Sequence, residues 1–318
     1  MNSINLRRLL FLSNLMFWGN SIQPFIITQA DITAGLTINE SGLWELGESV
    51  TFNDQYGIVV NTQDVVIDLK GYTIDGLQQG NVAIQIMSNN CRLLNGTLKN
   101  SVGTAIEIIN SSGVYINEIN IGDCRSGFLV LASDYTTIDS CSIIGAQESN
   151  ILIEDSPYTS LAQITITNGS NEGIAIIGNS GDSLLNQIKI SNCTGQGIRV
   201  SSDGVILKAI IIFFIAGDGI IMTGNDLEMS LCSISLNNGN GCRISGLNAM
   251  LQQCNFGKNG KDGILLESTT ANTEITGGQS SGNSAIGINN LGSTSNKAHY
   301  VDARFNKIRD FWRIINTP

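Results

Sequence analysis

A single histidine, His299, stands in 318 residues, and it lies close to the C-terminus. A histidine metal centre, or a nucleophile–histidine–acid triad, is therefore not built into the rest of the chain. The seven cysteines form no Cys-x-x-Cys pair, which removes the usual zinc and thiol-redox spacings. Charged residues are only 14%, and 17 basic against 27 acidic side chains leave a net charge of −10. Nothing there offers the basic stripe that a nucleic-acid backbone requires. Long apolar runs are missing too. Leu9–Trp18 is interrupted by Ser13 and Asn14, Val205–Ile215 contains Lys208, and both are too short to span a bilayer. With only three prolines and abundant β-branched residues, the composition is not that of a disordered chain.

What is present is a repeat. Thirty-five glycines punctuate a chain rich in Asn, Ser, Thr and Ile. In the stretch 218–260 two consecutive units lie almost in register: Gly219 matches Gly241, Met222 matches Ile244, and Leu227, Met229, Cys232 and Ile234 match Ala249, Leu251, Cys254 and Phe256. The first Ile of the Gly-Ile-x-Ile element, or its equivalent, marks each unit. It falls at Ile58, Ile84, Ile106, Phe128, Ile151, Ile174, Ile198, Ile220, Cys242, Ile264 and Ile286, at spacings of 22 to 26. Each marker is followed two residues later by another apolar residue, so both face an interior. A second pattern follows, as in Val114, Ile116, Ile119, Ile121 and Val205, Leu207, Ile210, Ile212. Its two-residue gap predicts a corner between short strands. Each unit is then one coil of three strands, stacked in parallel at about 4.8 Å, and a period in this range signals a stacked repeat. A leucine-rich repeat, the competing architecture, would show a helical half; here both halves alternate with strand period.

The Gly-Ile-x-Ile grammar, with the entry segment Val65-Val-Ile-Asp-Leu-Lys-Gly-Tyr-Thr-Ile-Asp-Gly76, resembles right-handed parallel β-helix proteins of the pectin-lyase-like superfamily, over about residues 32–295. The resemblance implies an all-β, single-domain β-solenoid of about 11 coils. It does not imply one activity, since the superfamily holds lyases, hydrolases, epimerases, tailspikes and adhesins. The polygalacturonase-like runs N-T-D, D-D, G-H-G and R-I-K are absent, as are the pectate-lyase-like W-x-D-H-type run and the epimerase-like D-P-H-E.

The ends carry separate expectations. Arg7 and Arg8 ahead of the apolar core Leu9–Trp18 predict an export signal over 1–30, cut after Ala30 or after Ser21. Residues 31–56 are expected to form an N-terminal cap and first coil, 57–295 the β-helix, and 296–318 a capping tail. In that tail Ile308, Phe311, Trp312 and Ile315 have the spacing of an amphipathic helix.

Five coils carry an aspartate after the marker strand: Asp134, Asp155, Asp182, Asp203 and Asp226. A row of carboxylates suits Ca²⁺ or acid–base chemistry, but Asp and Asn alternate at the sixth position beyond several markers, which is ordinary turn chemistry. No cofactor is therefore indicated. Glu154 and Asp155, with Asp134 and Asp182 on neighbouring coils, are the catalytic candidates for a polysaccharide lyase or glycoside hydrolase. Ile109, Leu129, Leu131, Leu152 and Ile177 form an outward apolar patch, a candidate partner or self-association surface; Ile206, Ile211 and Phe213 form another. The cysteines sit in apolar columns as small buried thiols, with disulfides not required. The leading expectation is an exported, non-catalytic β-helix that binds glycans or protein partners along one face. A polysaccharide-degrading enzyme is the alternative, and a self-assembling structural protein the weaker one. Neither a nucleic-acid partner nor a membrane span is expected.

Overall fold

Strand-period alternation broken by turn residues every few positions cannot sustain long strands, and the chain accordingly coils. The computed structural model describes residues 23–312 and 315–317. Every coil contributes one strand to a 13-stranded sheet, hereafter sheet 1, and one or two to a 21-stranded sheet, hereafter sheet 2. All pairings between strands are parallel, and about twelve turns of a right-handed solenoid result. The marker residues stack as read from the sequence: Ile84 on Ile106, Ile106 on Phe128, Phe128 on Ile151, and so on to Ile264. They and their partners two residues on are fully buried in one continuous core.

The corner within sheet 2 is made by a residue in the left-handed region on successive coils, among them Asn95, Glu118, Ser140, Gln163 and Gln187. This is the gap in the apolar-x-apolar-x-x-apolar-x-apolar pattern. All seven cysteines are buried free thiols. Burial pushes the Cys141 thiol up to about 12 and raises Cys91, Cys124 and Cys193.

Two expectations for the C-terminal end need correction. The last marker is Ile288, which pairs with Ile264; Ile286 pairs with Arg309. The turn between Leu266 and Glu274 is two residues longer than the one between Ile244 and Met250, so the final coil shifts by one alternation. The tail is not a helix. Arg309–Trp312 adds a strand beside Ile286–Asn290, and Ile315–Thr317 adds one beside Lys297–His299. The preceding coil offers an unpaired row of N–H and C=O groups, and Phe311 reaches the core while Ile308, the first member of the supposed helical stripe, stays exposed. Pairing with that edge overrides the weak 3.6-residue period.

At the other end the solenoid begins earlier than expected. Phe25–Ile27 pairs in parallel with Trp44–Leu46, and the Phe25 and Trp44 rings stack at 4.4 Å. The one helix among the described residues, Gln29–Thr33, buries Ile32 over the open end. Its first turn is held by Asp31, which accepts from the Thr28 N–H at 2.8 Å and from the Thr28 hydroxyl at 2.7 Å. The apolar core Leu9–Trp18 lies outside the described residues.

Candidate functional site

The five aspartates do not form one row, because the turn that follows sheet 1 varies in length. Asp155 directly follows the strand Ile151–Glu154, and its carboxylate accepts the Asn179 N–H of the next coil at 2.8 Å. Asp203 does the same with the Asn225 N–H at 2.7 Å, and Asp226 accepts from the Asn248 side chain at 2.9 Å. These three are occupied in holding coil to coil. Asp134 and Asp182, in different turn columns, have no hydrogen bond or ion pair on their carboxylates among the described residues. The candidate set Glu154, Asp155, Asp134 and Asp182 is thus divided among separate places.

Glu154 belongs to the outward face of sheet 1. Ile109, Leu131, Glu154 and Ile177 are consecutive register partners, with Leu129 over Leu152 in the neighbouring column. The structure therefore sets the half-buried Glu154 between Leu131 and Ile177, inside the apolar patch, and among the described residues no hydrogen bond from another side chain reaches its carboxylate. Further along, the column of Leu129 and Leu152 continues through Ala175, Arg199, Ile221 and Arg243.

The two arginines are the feature that the sequence reading missed. Arg199 donates through Nε and Nη2 to both oxygens of Glu172, at 2.6 and 2.9 Å. That hydrogen bonding raises its pKa above the ordinary arginine value, against the effect of burial. Arg243 donates through Nε to Asp218 at 2.9 Å and through Nη1 to Glu267 at 3.2 Å. Both arginine side chains are 35% exposed, whereas Glu172 and Asp218 are 12% and 13% exposed. A guanidinium has five N–H groups, so each arginine keeps donors beyond those given to its carboxylates. The two stand two coils apart, roughly 10 Å at the strand spacing, with buried Ile221 between them. The sequence signal is an acid 25 to 27 residues before an outward arginine, one coil plus the offset to the preceding turn. That relation is visible only once the coil path is known.

Among the described residues no deep pocket is lined by these groups. Two shallow depressions, of about 420 and 320 Å³, lie along sheet 2, one beside Glu118 and Asn120, the other beside Phe214 and Leu236. Neither is lined by the acidic candidates. No cluster of three metal-ligating side chains occurs among the described residues, and none of their helices is long and apolar enough to cross a membrane.

Several solved structures share this architecture at low identity. The A-module of mannuronan C-5 epimerase AlgE4 from Azotobacter vinelandii is similar over 96% of this chain and 97% of its own, with 13% identity and a TM-score of 0.64. The periplasmic alginate epimerase AlgG is similar over 77% of this chain and 64% of its own, at 11% identity and a TM-score of 0.59. A mutant tailspike protein of E. coli bacteriophage HK620 covers 88% of this chain and 64% of its own, at 12% identity and a TM-score of 0.59. No curated protein matches by sequence. The family described as right handed beta helix region matches residues 35–204, more than half of the chain, and the coils built over those residues are its defining unit: the chain belongs to the right-handed β-helix family.

Proposed function

We propose that the protein binds an extended glycan along the outward face of sheet 1 without cleaving it. The observation that carries this reading is the pair Arg199 and Arg243. They share one outward column, are held in place by Glu172, Asp218 and Glu267, and keep N–H donors facing solvent. A polymer lying along the rod axis meets equivalent positions on each coil, and donors fixed in advance lose little freedom on binding. The carboxylates beside the arginines are committed to ion pairs, and no long loop walls a groove around them. The mannuronan and alginate epimerases that share the fold support a polysaccharide as the partner class. The apolar core behind Arg7 and Arg8 and the periplasmic alginate epimerase support an exported location.

The test is affinity against a panel of neutral and acidic polysaccharides, with Arg199→Ala and Arg243→Ala as variants. Loss of one charge-assisted hydrogen bond is worth roughly 1.5–3 kcal/mol, so each variant should bind about 10- to 100-fold more weakly. Undiminished binding by both variants overturns the reading. Glu154, half-buried among apolar side chains, favours a second reading, in which it serves as acid or base in polysaccharide cleavage. Release of reducing ends or unsaturated products by the wild type, lost in Glu154→Gln, would replace the first reading with the second.

A further inference from the structure

Two tyrosines depart from the chemistry of their column. After each sheet 1 strand the chain passes through one turn position with a left-handed backbone, held on other coils by Asn90, Gly113, Asp182, Gly204, Asp226 and Asn248. Such residues tolerate this conformation, and a bulky aromatic one does so at a cost. Tyr135 and Tyr158 occupy it on adjacent coils, with φ of 50° and 58°. Their rings stack at 4.9 Å and 8°, yet they remain 52% and 47% exposed. Asparagine or glycine would serve the turn better, so the backbone does not account for them.

Their surroundings point to a ligand. Gly113, on the coil before Tyr135, has no side chain to cover the outer ring face in this column. Asp134 adjoins Tyr135 in sequence, and Asp182 follows Tyr158 on the next coil of the same column. Of the five turn aspartates, these two are the ones whose carboxylates are not tied to a neighbouring coil. An exposed aromatic stack with unengaged carboxylates at neighbouring turn positions matches a pyranose ring, whose C–H face packs on an aromatic ring while its hydroxyl or ammonium groups donate to carboxylates.

We propose that Tyr135, Tyr158, Asp134 and Asp182 form a binding subsite for a pyranose unit of a neutral or aminated glycan, at the turn edge beside sheet 1. An acidic sugar is disfavoured there by the two carboxylates. The subsite uses none of the residues assigned to the sheet 1 face, so it goes beyond that reading and stands or falls separately from it.

The experiment titrates the whole protein with neutral gluco-oligosaccharides, with glucosamine oligomers and with an oligouronate control, following binding by calorimetry. The variant Tyr135→Asn/Tyr158→Asn restores the side chain that the column carries elsewhere, so it should unfold at no lower denaturant concentration than the wild type. Its affinity for the neutral or aminated oligomer should fall at least 10-fold. Asp182→Asn should weaken the glucosamine oligomer more than the neutral one. Equal binding by the double variant, no binding of either oligomer by the wild type, or oligouronate binding that the double variant weakens as much as that of the neutral oligomer each overturns the proposal. A double variant that is markedly less stable assigns the stack to structure and overturns it as well.

Discussion

The interior of the C-terminal coils holds a column of asparagines, and removing one tests whether such a ladder stabilises the rod. Asn237, Asn259, Asn283 and Asn306 stack on successive coils, and Asn259 is fully buried. Its side-chain oxygen accepts from the Asn237 N–H at 3.3 Å and from the Asn237 side-chain nitrogen at 3.1 Å; its own nitrogen donates to the Ile234 carbonyl at 3.2 Å and to the Asn283 oxygen at 3.1 Å. In Asn259→Ala the Asn283 oxygen keeps the Asn259 N–H, at 3.0 Å. The two Asn237 donors are left facing a dry interior. An orphaned buried donor costs about 1–3 kcal/mol, so the variant should lose about 4 kcal/mol. The comparison is Asn192, whose exposed side chain makes one 3.3 Å bond to Asn168 in an outer ladder. Asn192→Gly retains the left-handed turn, gives that bond to water and should cost about 0.5–1 kcal/mol. Urea unfolding followed by circular dichroism measures both. Amide exchange at Asn237 and Asn283 shows whether the loss is local, as nearest-neighbour stacking in a repeat predicts. If the two variants fall within about 1 kcal/mol of each other, satisfaction of the buried amides is not what stabilises these coils.

Acid should weaken the rod through Asp75. Burial pushes its carboxyl up, but hydrogen bonds from the Asn100 side chain, the Leu77 N–H and Lys99 outweigh that and hold it below the ordinary aspartate value. Its folded pKa is depressed, so the stabilisation is present above the unfolded value of about 3.9 and is lost as pH falls through the folded value. Unfolding curves between pH 6 and 3 should therefore show Asp75→Asn less stable at pH 6 and with a shallower decline; parallel curves would refute the assignment. The thiols give a second readout. A thiol reagent at pH 8 should label none of the seven cysteines in the native protein and all seven in urea, and rapid native labelling of any one would contradict their burial.

The coil path was legible because interior columns repeat one kind of side chain at a near-constant interval. Ile106, Phe128 and Ile151 announce a register that the pairing reproduces. Turns were not legible to the same degree. The left-handed turn residue lies six positions beyond Ile84, at Asn90, but seven beyond Phe128, at Tyr135, and eight beyond Ile174, at Asp182. A fixed offset of six would put Asp134 in the column of Asp226, whereas it lies one position earlier. Ile286 and Ile288 are both apolar, so periodicity could not choose between them, and the longer turn before Glu274 decided it. The buried asparagine column went unread because asparagine reads as a turn residue in sequence, whereas its satisfaction depends on partners one coil away. Arg199 and Glu172 likewise meet only because the chain returns after a full turn.

A solenoid also supplies its own internal comparison, and that comparison separates structural from functional side chains. Each column poses the same physical demand on every coil, so a residue that meets the demand needs no further reason to be there. Asp155, Asp203 and Asp226 meet it by accepting from the coil beyond. Tyr135 and Tyr158 do not: they take a strained turn position, at a cost of order 1–3 kcal/mol each, and their stacking returns only about 0.5–1.5 kcal/mol. Glu154 does not either, since Ile109, Leu131 and Ile177 in its column show that the position accepts an apolar side chain. A half-buried carboxylate there gives up hydration that leucine would not. Departures at the edge and on the face of sheet 1 lie on the coils between Phe128 and Asp182, while the coils from Asp218 to Asn259 hold Asp218 and Arg243 on that face and Leu231 and Leu236 in exposed left-handed turn positions of sheet 2. On the proposed readings, stability and recognition fall to different columns of the same coils. A substitution that restores a column's usual residue should then remove binding while preserving the rod, the opposite of what a core substitution does.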